Sequence, residues 1–370
     1  MSARSPAAAG GGAAGGTAGA LRAARRIYVT DCEGPLTKND NAQEIAERFI
    51  PDGAELFARL SKYDDFLADV VRKPGYNAGD TLRLLPPFLK AFEVTDEDVE
   101  AFSAEGVLLV PGGREALAEI GALLPTFIIS TSYTPYLRAL CRLSGFPMAN
   151  VRCTELSLDA WTMPKDERGW LRGETARVLG RSLIEIPDGA SSVDDLSPAD
   201  AVTVVELDDL FWTRMAGRVS GELVAALRPV GGGMKLAALE EIVAAEGVEG
   251  ADVMYVGDSI TDAPPLAAVK AWGGVSLSFN GNGYALAAAE LAAASPDAGV
   301  AAELATAFAG GGRDGVEAAV RAWPTAERGE QPTGRARARV GFVAEEPKAL
   351  AEASAAARRS VRGVRIARLG

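Results

Sequence analysis

The stretch Ile27-Tyr28-Val29-Thr30-Asp31-Cys32-Glu33-Gly34-Pro35-Leu36-Thr37 joins a short apolar run to a loop that carries two acids and a Gly-Pro pair. Such a run reads as a buried strand that ends where the polar residues begin. The same pattern recurs further along. Thr126-Phe127-Ile128-Ile129 ends at Ser130-Thr131-Ser132, Val253-Met254-Tyr255-Val256 ends at Gly257-Asp258, and Gly274-Val275-Ser276-Leu277-Ser278-Phe279 runs into Asn280. Helical patterns over 114–124 and 237–245 lead into the second and third of these runs. Strand, crossover helix, strand is the grammar of a parallel sheet, so the chain reads as an α/β protein built on a Rossmann-like parallel sheet. Sheets of that kind bind ligands at the C-terminal ends of their strands, where these polar residues fall.

Around this frame the organisation is uneven. Residues 1–26 are dominated by Ala and Gly with no periodic apolar face, which predicts a disordered leader. The core is expected over 27–37 and 109–310. Between those two pieces, Ile45, Phe49, Leu56, Leu60, Phe66, Leu67, Val70 and then Leu82, Leu85, Leu89 recur at three- and four-residue spacing, which predicts amphipathic helices over 38–108. Residues 151–158 are a candidate strand, and 164–228 read as a helical or mixed insertion. From residue 313 onward twelve Arg or Lys face seven Asp or Glu, a local charge of +5 in a chain whose formal net charge is -12. This 311–370 segment is expected as a basic C-terminal tail, either solvated and loosely packed or a docking segment for an acidic protein partner.

Composition narrows the chemistry. The 370 residues are 48% hydrophobic and 24% charged, enough for a substantial core. The net acidity argues against a general electrostatic grip on nucleic acid. The chain contains no histidine, which excludes Ser-His-Asp and Cys-His relays, His-ligated zinc and a histidine base. Cys32, Cys141 and Cys153 are too few and too irregular for a disulfide framework, and no run is long enough for a membrane span. The expected setting is cytoplasmic.

Catalysis must then run on carboxylates, hydroxyls, lysine or an oxygen-held metal. Asp31 and Glu33, Ser130 and Thr131, Lys235 behind Gly231-Gly232-Gly233, and Asp258 and Asp262 form an ordered set that suits phosphate-ester chemistry. Asp31 and Asp258 supply the oxygen ligands that Mg2+ prefers. A carboxylate nucleophile divides one displacement into two through an acyl phosphate. Ser130 and Lys235 offer donors for phosphoryl oxygens, and Glu33 is placed to protonate the leaving alcohol and then deprotonate water.

Together these segments resemble the haloacid dehalogenase (HAD) superfamily of phosphohydrolases. Asp31-x-Glu33-Gly34-x-x-Thr37 is similar to its first motif, Ile128-Ile129-Ser130 to its second, Lys235 to its third, and Gly257-Asp258-Ser259-x-x-Asp262 to its fourth, in the correct order across about 27–290. The resemblance implies Asp31 as nucleophile and metal ligand, and Glu33 as acid/base residue lending its main-chain carbonyl to Mg2+. It implies Ser130, with Thr131 competing for the same role, and Lys235 as phosphate binders. Asp258 would be a metal ligand and Asp262 a support for the metal. Where this chain has Glu33 the family usually has Asp, a difference of one methylene in the position of the carboxyl. The long insert between the first and second motifs resembles a helical cap over the site. Within the superfamily, Asp31 to Pro35 with Asn39-Asp40-Asn41 and Ser278 to Asn282 most resembles archaeal proteins assigned to an energy-converting hydrogenase.

The implied activity is Mg2+-dependent hydrolysis of a small phosphorylated metabolite. The rival is a weakly active or non-catalytic HAD-fold subunit of a larger, hydrogenase-like complex. Local alternatives stand beside these roles. Cys32 reads as packing, Lys235 as a surface lysine if taken alone, Gly231 to Gly233 as a flexible hinge, and Asn280 and Asn282 as turn formers or substrate contacts.

Overall fold

A computed structural model of the chain describes residues 25–324 and 337–363. The Ala/Gly-rich leader expected over 1–26 lies outside the described residues except for Arg25 and Arg26. Arg26 donates to the Ala309 carbonyl at 3.1 Å, so order begins ahead of the first strand.

The first strand, β1 (Ile27–Thr30), is buried along its whole length. The chain then makes a tight loop and enters the helices α1 (Asn41–Phe49), α2 (Gly53–Asp65), α3 (Thr81–Leu84), α4 (Pro86–Ala91) and α5 (Asp96–Gly106). Asp40 caps α1 by accepting from the Gln43 amide at 3.1 Å, and Thr95 with Asp98 forms a capping box on α5. Asn39 fixes the two ends of this excursion. Its amide nitrogen donates to Glu44 and the Gly106 carbonyl, while its oxygen accepts from the Leu108 amide and the Tyr136 hydroxyl.

The sheet resumes through α6 (Gly113–Leu123), β2 (Thr126–Tyr133), α7 (Thr134–Ser144) and β3 (Val151–Thr154). A second helical excursion follows, with α8 (Lys165–Leu179), α9 (Pro198–Asp209) and α10 (Val219–Ala226). The chain returns as α11 (Gly233–Glu246), β4 (Val253–Gly257), α12 (Ala263–Ala271), β5 (Val275–Phe279), α13 (Gly283–Ala288), β6 (Leu291–Ala294), α14 (Gly299–Arg321), β7 (Arg339–Phe342) and α15 (Pro347–Arg362). The two helical excursions share one apolar cluster, in which Phe57, Leu60, Phe88 and Leu89 pack with Leu171, Leu207, Phe211 and Val224.

The seven strands order as β3-β2-β1-β4-β5-β6-β7, parallel except for the antiparallel pair of β6 and β7. Side-chain alternation divides the core between two faces. Tyr28, Met254, Val256, Leu277 and Phe279 pack under α6 and α14, whereas Ile27, Val29, Phe127, Ile129 and Tyr255 pack under α11, α12 and α13. The predicted Rossmann-like α/β core is therefore present as helices on both sides of a mostly parallel sheet.

The chain departs from the sequence reading in three places. β2 does not stop before Ser130 but continues to Tyr133, with a register irregularity against β3 between Ile129 and Tyr133. The Thr154 hydroxyl, donating to the Thr131 carbonyl at 2.6 Å, carries the pairing across that irregularity. β6 is built of Leu291-Ala292-Ala293-Ala294, a run with weak strand propensity whose burial comes from its neighbours. The described part of the basic C-terminal segment is not a loose solvated appendage, because β7 closes the sheet edge and Leu350 of α15 packs against Leu286 and Ala292.

Candidate active site

Strands β2, β1 and β4 lie side by side at the centre of the sheet, so the residues at their C-terminal ends converge. Asp31 follows β1, Asp258 follows β4, Ser130 lies in the last part of β2, and Lys235 stands in the first turn of α11. Lys235 Nζ reaches Asp31 Oδ2 at 2.8 Å and Asp262 Oδ1 at 2.7 Å. Ligand oxygens of Asp31, Asp258 and Asp262 fall within 4.8 Å of one another. Asp31, Glu33, Ser130, Thr131 and Asp258 line one cavity of about 130 Å³, whose opposite wall comes from α2 and the residues before α3. The structure thus brings together every residue singled out from sequence, from segments up to 231 positions apart.

The loop geometry explains two glycines. Gly34 has a positive φ, and a Cβ there would meet the Asp258 carboxylate at 2.2 Å. At Gly257 a Cβ would collide with Asp262 at 2.4 Å. The run Gly231 to Gly233, expected as a hinge, is instead a packing surface. A Cβ on Gly231 would come within 2.3 Å of the Ala78 carbonyl, so the glycine lets the helical excursion lie directly against the start of α11. Asn280 and Asn282 are also structural: Asn280 pairs with the main chain of Ser295, and Asn282 caps α13.

Asp262 differs from the other acids because its oxygens are already held by the protein. Oδ1 accepts from Lys235 and from the Tyr255 hydroxyl at 2.8 Å, and Oδ2 accepts from the amides of Asp258 and Ser259 and from the Ser259 hydroxyl. Burial alone would raise its pKa, but Lys235 and these donors outweigh burial and hold it below the ordinary value. Asp262 therefore anchors the lysine and the loop that presents Asp258. The same contest favours the charged form of Lys235. Burial opposes it, and Asp262 and Asp31 overcome that penalty. Asp31 is raised well above its usual value by burial and by the carboxylates of Asp262 and Asp258, with Lys235 acting in the opposite direction.

Glu33 is raised to about 7, first by burial and then by Asp40, against Arg362 and the Asn41 amide that donates to its Oε1 at 2.8 Å. Of the two candidate hydroxyls, Ser130 and Thr131, that of Thr131 donates to the Val230 carbonyl at 3.1 Å, while Ser130 Oγ accepts only the Ser132 amide among the described residues. Of this pair, Ser130 is the one left with its proton to give. Cys32 is fully buried, and burial, with Glu33 and Asp31 beside it, pushes the thiol far up. It stays a neutral packing group.

Two site residues escaped the sequence reading. Arg358 and Arg362, one turn apart on α15, both reach Asp258 Oδ2. Arg358 Nη1 makes a short contact and Arg362 Nη1 lies at 3.0 Å. Arg362 also donates to the carbonyls of Lys38 and Asn39 at the start of the helical excursion. The available signal was the four-residue stripe Leu350, Ser354, Arg358, Arg362 inside a segment whose composition suggested only a charged surface.

The donor set fits a divalent cation of the Mg2+ kind. It consists of buried carboxylate oxygens that lie within 4.8 Å of one another. Asp31 and Asp258 are the residues that would hold the ion.

No protein-family profile matches this sequence, and no curated protein matches it. Among solved structures, a gene product of Archaeoglobus fulgidus, AF1437, is similar at 28% identity and a TM-score of 0.79, over 94% of this chain and 99% of that one. Phosphoserine phosphatase structures also align, one with an analogue of the phospho-aspartyl intermediate and one with substrate bound. These share 13% identity over 72% of this chain and 91% or 92% of theirs, at a TM-score of 0.42, too distant to bear on function. Among the described residues no helix is long and apolar enough to cross a membrane.

Proposed function

We propose that the protein is a HAD-type phosphohydrolase that cleaves small-molecule phosphate monoesters in a Mg2+-dependent reaction through a phosphoenzyme on Asp31. The observation that carries this reading is the convergence of Asp31, Ser130 and Asp258 from three adjacent strands on one cavity, with Lys235 of α11 buried behind Asp31. When bound, the divalent ion supplies charge that lets a dianionic phosphoryl group approach a carboxylate.

In the first half-reaction an Asp31 oxygen attacks phosphorus, the bond to the ester oxygen breaks, and Glu33 delivers its proton to the departing alcohol. In the second, Glu33 takes a proton from water as that water attacks the phosphorus of the acyl phosphate, which releases inorganic phosphate and restores Asp31. A Glu33 pKa of about 7 suits a group that must alternate between acid and base near neutrality. Lys235, fixed by Asp262, orients Asp31, and the Ser130 hydroxyl donates to a phosphoryl oxygen. The helices over 38–108, joined by those of 164–228, act as a cap that excludes water and limits the substrate to a small one.

The test is phosphate release from a panel of phosphorylated metabolites, with and without Mg2+, beside Asp31→Asn. The expected result is turnover that needs both Mg2+ and Asp31. Turnover that survives EDTA and Asp31→Asn alike overturns the mechanism.

A second reading, a HAD-fold subunit of a larger complex with little turnover, is favoured by one observation: two guanidinium groups already neutralise Asp258. The motif likeness to hydrogenase-associated archaeal proteins and the basic C-terminal segment as a protein-docking element belong to it. Absence of phosphate release at any Mg2+ concentration, with co-purification of a stable partner, supports this alternative.

A further inference from the structure

The pocket has an unusual charge pattern for a site that must admit a dianion. Six carboxylates line it, from Asp31, Glu33, Asp40, Asp64, Asp65 and Asp258, and the cations on its wall are Arg358 and Arg362. Lys235 is fully buried behind Asp31, already engaged by two carboxylates, and does not line the cavity. Among the described residues, a phosphate group entering this cavity therefore meets cationic side chains only at α15.

Those side chains are built in. Each is 6% exposed, and their spacing of four places them on one face of the helix. The same face buries Leu350 against Ala292 of β6 and also buries Ser354, so packing on the sheet sets the position of the guanidinium groups. Arg358 engages the protein through Nη1 alone among the described residues, toward the carboxylate and the main-chain carbonyl of Asp258. Its Nε is buried without a partner. The planar fork of donors that makes arginine suited to oxyanions is thus largely unused in Arg358, whereas Arg362 also holds the carbonyls of Lys38 and Asn39.

The charges in direct ion pairs give a second argument. Asp31, Asp258 and Asp262 face Lys235, Arg358 and Arg362, three against three. Within these pairs alone, a divalent cation held by Asp31 and Asp258 would add two positive charges, the number a phosphoryl dianion carries in the opposite sign.

We propose that Arg358 and Arg362 form an arginine arm of the phosphoryl-binding site, delivered by the C-terminal helix α15, which gives up its hold on Asp258 to grip phosphoryl oxygens when cation and phosphate are both present. This deepens the phosphohydrolase reading and rests on it. It assigns to the C-terminal segment a role inside the pocket, and it requires cation and phosphate to bind with positive coupling.

The experiment is calorimetric titration of the full chain with inorganic phosphate, with and without saturating Mg2+, and with Mg2+ alone. It is run on wild type, Arg358→Gln, Arg362→Gln and Arg358→Lys, with circular dichroism as a check of folding. The expected result is phosphate binding that Mg2+ strengthens, and a loss of about tenfold in phosphate affinity in either glutamine variant. Mg2+ affinity rises in the same variants, because competing cations have left Asp258, and Arg358→Lys recovers part of the phosphate affinity. Opposite movement of the two affinities separates a ligand-binding role from a structural one. Unchanged phosphate affinity in folded glutamine variants overturns the inference, as does a parallel fall of both affinities. If a glutamine variant does not fold, a partial loss of phosphate affinity in folded Arg358→Lys, with Mg2+ affinity not reduced, supports the inference, and wild-type phosphate affinity in that variant overturns it. Turnover run in parallel separates the two claims. Wild-type turnover left unchanged in Arg358→Gln sinks the arginine arm and leaves the phosphohydrolase, whereas phosphate binding lost in Arg358→Gln with no wild-type turnover leaves the anion site and sinks the phosphohydrolase.

Discussion

Asp262 and Asp64 are both buried aspartates at the same pocket, one behind its sheet floor and one on its helical wall, and their surroundings treat them in opposite ways. Asp262 is held by a lysine, a tyrosine hydroxyl and two main-chain amides, and its pKa is depressed despite burial. Asp64 receives the Gly79 amide at 2.9 Å on one oxygen, while the other has no well-formed partner, and burial, then Asp65, pushes it up to about 8. What differs is the supply of cations and aimed donors, since burial alone favours the neutral acid in both places. On the floor, Asp262 is held in its ionised form and oriented. The wall maintains a protonated carboxyl.

The largest effect tests what the floor is for. Asp31→Asn keeps the shape of the side chain but removes the nucleophile, and phosphate release is expected to fall by at least about a thousandfold. Next comes the ion pair that organises the floor. Lys235→Met leaves Asp31 and Asp262 without their shared cation in a fully buried setting, and breaking such a pair costs about 3–5 kcal/mol. Urea denaturation of this variant checks it. A loss below about 1 kcal/mol would mean that the floor carboxylates find charge compensation elsewhere, with Arg358 and Arg362 the obvious source.

How far the sequence foretold this pocket depends on the range of the interaction. Asp31, Ser130 and Asp258 were legible because each stands at or near the end of an apolar run, and a parallel sheet brings such ends together whatever lies between them. Lys235 was legible only through its order among the others. Arg358 and Arg362 were not, since their contacts with Asp258 span 100 and 104 residues and they sit among other arginines with no local punctuation. Asp262 was read as a metal support through the resemblance of Gly257-Asp258-Ser259-x-x-Asp262 to a family motif, while Tyr255, which together with Lys235 occupies its Oδ1, looked like an ordinary strand aromatic. The extension of β2 past Ser130 was hidden for a similar reason: Thr154, a residue on another strand, sustains it.

A smaller effect sharpens the contrast on the wall side. With its folded-state pKa near 8, Asp64 keeps a proton that the unfolded chain releases above about pH 4. Between those values folding takes up a proton, so this residue makes stability fall as pH rises through that window and level off above about pH 8. Asp64→Asn removes the dependence. Relative to wild type, the variant is expected to gain roughly 3–4 kcal/mol between pH 5 and pH 8, measured by denaturant unfolding at each pH. A difference between the two chains that does not change with pH would show that Asp64 is ionised in the folded state, and the floor and wall would then be alike.

The smallest effect concerns how the two walls are held together. Tyr284, at the start of α13 on the sheet side, donates its hydroxyl to Asp69 Oδ2 of the helical excursion at 2.6 Å. The tyrosine is 46% exposed, so water competes for both groups and the bond is worth about 0.5 kcal/mol. Tyr284→Phe is therefore expected to leave global stability almost unchanged while speeding local opening, visible as faster amide exchange over 66–70 than in wild type. If exchange there is unaltered, the shared apolar cluster of the two helical excursions and the Asn39 tie already fix the wall in place, and the Tyr284 contact follows from that closure without contributing to it.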